Sequence, residues 1–172
     1  PEEIIPELMQ PYNEKYKADI LIYGEHYCAI SDSFGVCKFT TTEEYSLMPA
    51  DFLEGLRLMG HDLTEAQLLQ IGERIVNLER LFNIREGFSR KDDYLPKRFT
   101  SEPMPLYAND RGPETGKTTL GKLLGTFIVN DLDAMLDRYY SLREWDADGR
   151  PTQSKTEQLG LADEFQKLPV CP

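Results

Sequence analysis

The sequence predicts an all-α protein, an irregular multi-helix domain with long Pro/Gly-rich loops, taken as one unit over residues 1–172. Three observations predict it. Apolar residues recur at spacings of three and four in three separate stretches, the signature of helices with one buried face. Two capping-box pairs, Thr41 with Glu44 and Thr64 with Gln67, mark helix starts. Residues 103–125 are rich in Pro and Gly and read as a long loop.

Taken in order, Pro1, Pro6 and Pro11 leave room for one short helix over residues 2–10. A mostly buried helix follows over residues 17–31, with Ile20, Leu21, Tyr23, Tyr27 and Ile30 on its apolar side. Thr41 opens a short helix that Pro49 ends, and Pro49 in turn opens a helix over residues 50–59. The strongest helix covers residues 65–86, carried by Leu68, Ile71, Ile75, Leu78 and Phe82, and stops at Gly87. Its other face holds Glu73, Arg74, Glu79, Arg80 and Arg85, either a solvated surface or a face packed against further domains.

Residues 88–99 read as an irregular connector that Arg85, Arg90, Asp92, Asp93 and Arg98 pin by bidentate ion pairs. Gly112 to Thr118 imitates a phosphate-binding loop but has three residues between its glycines where that motif has four, and Pro113 removes an N–H. Nucleotide binding is therefore set aside. A helix over residues 131–143 follows, with Asn130 as N-cap and Leu132, Met135, Leu136, Tyr139 and Leu142 buried. A turn through Gly149, a last helical piece near residues 154–159 and a tail complete the chain.

With 172 residues and 40% hydrophobic content, the chain is long enough to bury a core. No apolar run reaches membrane-spanning length. The net charge of −11 argues against nucleic-acid binding, which needs clustered Lys and Arg. Three cysteines, Cys28, Cys37 and Cys171, are too few for a disulfide scaffold and suggest a reducing, cytoplasmic setting. The start at Pro1, with no leader, suggests a fragment.

One loop concentrates the chemistry. In Asp32-Ser33-Phe34-Gly35-Val36-Cys37-Lys38 a helix gives way to a carboxylate, a glycine and a thiol. Gly35 supplies the positive φ of a helix end, and the turn places Asp32 and Cys37 on one small loop, suited to a polar cofactor beside a metal. A buried, inert cysteine is the alternative. Zinc held by His26, Cys28, Cys37 and His61 departs from common ligand spacings, and a catalytic Cys–His pair is no better supported.

This loop resembles the second Asp-x-x-Gly-Leu-Cys motif of the tungsten-containing aldehyde:ferredoxin oxidoreductases. Residues 72–87, residues 90–99 with Glu102-Pro103 after them, and the block from Leu136 to Trp145-Asp146 resemble the same family in the same order, in its C-terminal region. The resemblance implies an enzyme oxidising aldehydes to carboxylic acids on a tungsten bis-pterin, with electrons leaving through a [4Fe-4S] cluster to ferredoxin. It implies that Cys37 is the distant cysteine ligand of the cluster. Asp32 would accept hydrogen bonds from pterin, with Val36, Cys37 and Lys38 offering backbone groups and His26 near the substrate side. It also implies partners: the remaining domains of the same enzyme and, in one arrangement, a second copy in a homodimer. Val36 departs from the motif's Leu, and the Cys-x2-Cys-x3-Cys group is not in this chain, so the chain alone is expected to be inactive. A benzoyl-CoA reductase-type or other substrate in the same family, or a cofactor-free helical interaction module, are the alternatives.

Overall fold

A computed structural model describes residues 2–8, 10, 13–41, 46–111 and 118–167. Its helices are α1 (Ile5–Leu8), α2 (Lys17–Phe34), α3 (Pro49–Leu58), α4 (Glu65–Arg85), α5 (Arg98–Ser101), α6 (Leu132–Arg143), α7 (Gln153–Gln158) and α8 (Ala162–Gln166). Among the described residues, none is long and apolar enough to cross a membrane.

The all-α expectation is overturned by two strands. β1 (Met104–Arg111) pairs antiparallel with β2 (Thr118–Phe127), Met104 facing Phe127 and Leu106 facing Gly125, with register shifts on either side of Tyr107. The chain is α+β. Burial along β1 alternates with period 2: Met104, Leu106 and Ala108 are half-buried while Pro105 and Tyr107 are exposed. Pro105 and the glycines masked it. In a two-stranded sheet both strands are edges, where proline is tolerated. Gly121 lies so close to the Ala108 carbonyl that a Cβ would overlap it, so this glycine serves strand pairing rather than a loop. Residues 112–117, which hold most of the phosphate-loop imitation, lie outside the described residues, as do residues 42–45 with Glu44 and the tail from residue 168.

The main core lies where α2, α3 and α4 meet. Tyr27, Ile30, Phe52 and Leu68 are buried together, with Val36, Leu47 and Leu53 packed on them. Phe52 meets the Tyr27 ring edge-on, and the Tyr27 hydroxyl donates to the Leu47 carbonyl. A smaller cluster joins Leu81 of α4 to Leu159, Leu161 and Phe165.

The starts of the helices follow local chemistry. Thr64 accepts from Gln67 N–H, and the Gln67 side chain accepts from Thr64 N–H at 2.8 Å. Asp51 accepts from the Met48 N–H at 2.6 Å beside Pro49. Asp131, not Asn130, caps α6 by accepting from Ala134 N–H, whereas Asn130 donates through its backbone and side chain to Glu14.

The helix faces depart from the expected stripes. On α4, Leu68 is buried as expected, but Leu78 and Phe82 are about half exposed at 43% and 54%. The buried set there includes Gly72, Asn77 and Arg80. On α2, Tyr27 and Ile30 are buried while Leu21 and Tyr23 are largely exposed.

Candidate functional site

The Asp32–Lys38 loop forms as the end of α2 dictates. Gly35 adopts φ +68°, and its N–H donates to the Asp32 carbonyl while Val36 N–H donates to the Ser31 carbonyl. This paired closure satisfies carbonyls the helix leaves open. Val36 follows the cap and packs into the main core, which anchors the chain one residue before the thiol. Cys37 is extended and exposed, and a 3-10 turn follows over Lys38–Thr40. The Lys38 ammonium pairs with Asp32 at 3.0 Å, an exposed pair that raises the lysine's pKa through that hydrogen bond and charge.

Each site residue read from sequence therefore has a place. Asp32 and Lys38 meet side chain to side chain, Val36 is turned inward with only its backbone available, and Cys37 presents its thiol outward. Cys28 is half-buried one helical stretch earlier. Among the described residues no three His, Cys, Asp or Glu side chains gather to hold a metal ion. What the loop offers a metal group is a single exposed cysteine on a fixed main chain, a fit for one ligand of a site shared with other residues.

His26 belongs to a different arrangement. Arg143, at 1% exposure, extends from α6 onto α2, where it donates to Glu25 and lies 2.8 Å from His26 Nε2. Since the guanidinium only donates, Nε2 is the acceptor and the proton is on Nδ1. Burial, reinforced by the Arg143 charge, pushes His26 down from 6.5 to about 4 and keeps it neutral. Tyr139 donates to the same Glu25 at 2.7 Å, and burial raises its pKa. The guanidinium also lies over the Tyr139 and Trp145 rings, and its Nε has no partner among the described residues.

A second arginine does similar work. Arg80 grips Asp93 with both ends of its fork, at 2.9 and 2.6 Å, and donates to the Gly149 carbonyl at 2.7 Å. Tyr140 donates to Asp93, Trp145 donates to Asn77 at 2.8 Å, and Lys155 pairs with Glu73 and Glu144. Burial works against the Lys155 charge, yet the two carboxylates outweigh it and raise its pKa. Glu73, Arg74 and Arg80 on the charged face of α4 are thus used inside this chain, by Asp93 and residues 144–159, while Arg85 pairs in the open with Glu86. The connector is pinned as expected at Asp93 and at Arg90, which pairs with Asp137 at 2.7 Å. Between α2, α4 and α6 lies a cavity of about 420 Å³ lined by Leu21, Glu25, Arg80, Tyr139 and Trp145, apart from the Cys37 loop.

Sequence reasoning missed Arg143, Glu25 and Asn77. The available signal was a Tyr-Tyr pair followed at short range by Arg and Trp, more aromatic and cationic than an exposed helix end needs.

The comparisons with known proteins fall on the same stretch. The family profile described as "Aldehyde ferredoxin oxidoreductase, domains 2 & 3" matches residues 1–161. Tungsten-containing aldehyde ferredoxin oxidoreductases of Pyrococcus furiosus and Thermococcus kodakarensis are 40% and 39% identical over 161 residues, 92% of this chain and 24% of each relative. The chain thus spans about a quarter of the length of these relatives. The active-site complex BamBC of benzoyl coenzyme A reductase shares the fold, with a TM-score of 0.67 at 23% identity over 92% of this chain and 21% of that one. The chain belongs to the aldehyde ferredoxin oxidoreductase family, in the region of its domains 2 and 3.

Proposed function

We propose that residues 1–172 are the C-terminal domain of a tungstopterin aldehyde oxidoreductase, the whole enzyme oxidising aldehydes to carboxylic acids and passing electrons to ferredoxin. The observation that carries this reading is the exposed Cys37, held by a closed helix cap on one side and a 3-10 turn on the other, within a family-matched chain. When bound, the tungsten bis-pterin and a [4Fe-4S] cluster supply the two-electron oxidation and the one-electron exit. Cys37 contributes one thiolate to that cluster, and the other three protein ligands come from the remainder of the enzyme. Asp32, an acceptor-only carboxylate, receives N–H groups of pterin and orients it by charge-assisted hydrogen bonds. Lys38 holds that carboxylate in place from the loop's far side. Main-chain groups of Val36, Cys37 and Lys38 serve the same ring.

The test is metal, iron and pterin content of the full-length enzyme purified anaerobically. The wild type should carry tungsten, pterin and about four irons. Cys37→Ala should lose most of the iron and the EPR signal of the reduced cluster; unchanged iron and signal would remove Cys37 from the ligand set. Asp32→Asn should keep the fold while losing pterin and tungsten, and normal tungsten after purification would sink the role given to Asp32.

A further inference from the structure

We infer that Ser31 and Thr41 are positioning residues, a buried hydroxyl pair that fixes the main chain from which Cys37 presents its thiol. The inference rests on the reading of Cys37 as a cluster ligand. Ser31 lies in the last turn of α2 and Thr41 just beyond the 3-10 turn, and both side chains are fully buried. Their oxygens are 3.0 Å apart across ten residues of chain, so they staple the two ends of the loop. Ser31 Oγ also lies 2.9 Å from the Tyr27 carbonyl, and Thr41 Oγ1 lies 3.1 Å from the Lys38 carbonyl. Two hydroxyl protons are shared among these three contacts; with Ser31 donating to Thr41 and Thr41 donating to the Lys38 carbonyl, the chain of donors ends on Lys38, the residue after the thiol.

Volume alone does not ask for hydroxyls here. An alanine and a valine would fill the same space, whereas buried hydroxyls are costly unless paired, so this pair selects direction rather than packing. The other side of the peptide is held as well: Thr40 donates to the Cys37 carbonyl from its N–H at 3.0 Å and its hydroxyl at 2.6 Å. With Val36 in the core and both carbonyls tied, the Cα–Cβ direction of Cys37 is set and only its side-chain torsion is free. Outer groups that orient a ligand typically tune metal affinity by ten- to a hundred-fold.

The experiment uses the full-length enzyme and measures iron per chain, the EPR spectrum of the reduced cluster and the rate of iron loss to a chelator. Thr41→Val should lose iron about tenfold faster with an altered spectrum. Thr41→Ser, which restores the hydroxyl, should return both to wild type. Ser33→Ala, in the same helix turn but with its hydroxyl turned back to the Ala29 carbonyl, should behave as wild type. If Thr41→Val yields no folded enzyme, Ser31→Ala carries the test with the same expectation. A wild-type spectrum and iron-loss rate in Thr41→Val, or in Ser31→Ala in its place, overturns the inference, as does a Ser33→Ala change of equal size. A cluster that survives Cys37→Ala overturns the underlying reading instead. A cluster lost in Cys37→Ala yet indifferent to both hydroxyl variants overturns this inference alone.

Discussion

His26 shows how one buried pair sets a pH response. Burial, reinforced by the Arg143 guanidinium, keeps the imidazole neutral, so the folded chain resists protonation down to about pH 4 whereas the unfolded chain accepts a proton near 6.5. The folded pKa is lowered, so this contribution is intact above 6.5 and is lost as pH falls toward 4. The charges of Glu73, Arg143 and Lys155 act on the ring, and they are common to a variant that changes only the ring. His26→Gln keeps an acceptor for Arg143 and removes the titration. Unfolding free energy from urea titrations should therefore shift in the variant's favour by on the order of 2 kcal/mol between neutral pH and about pH 4.5. A gap between the two proteins that stays constant with pH would show that His26 does not titrate in this window. Arg143 itself tolerates no such trade, since removing Glu25 would leave a buried cation without its counter-charge.

The decisive element contact is the crossing of α2 and α4, and Gly72 makes it possible. A Cβ at Gly72 would overlap the His26 carbonyl, so the two helix backbones touch where only glycine fits. Gly72→Ala gains about 1 kcal/mol of helix propensity. The overlap is with backbone, which cannot turn aside, so the net expectation is a loss of about 2 kcal/mol. Equal or greater stability of Gly72→Ala would mean the helices separate at no cost. This contact also marks what the sequence makes legible and what it does not. The helix starts at Thr64 and Pro49 and the helix end at Gly35 were readable because each is decided within four or five residues. The loop carrying Asp32 and Cys37 was readable for the same reason. Arg80 was not: it looks like a surface residue until Gly149, 69 residues away, supplies its acceptor. The hairpin was hidden because Pro105, Gly121 and Gly125 carry loop statistics, although Pro105 sits on an edge strand and Gly121 at a close approach to Ala108.

For the whole molecule, the apolar surface that remains is the informative quantity. Leu78 and Phe82 fall on one face of α4 with Ile71, and Leu21 and Tyr23 on α2 are similarly open, while Arg80 of α4 is buried. A chain that buries Arg143 and Arg80 while exposing these side chains has its polar interior fixed locally and its apolar surface turned outward. The chain spans about a quarter of the length of its tungsten-containing relatives, and under the proposed reading the remainder of such an enzyme covers these residues. Leu78→Lys separates the two contexts. In the 172-residue chain, where Leu78 is 43% exposed, it should change stability by less than about 0.5 kcal/mol and reduce self-association in sedimentation. In the full-length enzyme the same charge would be buried without a partner, and the loss should exceed about 2 kcal/mol, read as a lower unfolding temperature. Equal effects in both contexts would show that this face of α4 meets solvent in the complete protein too.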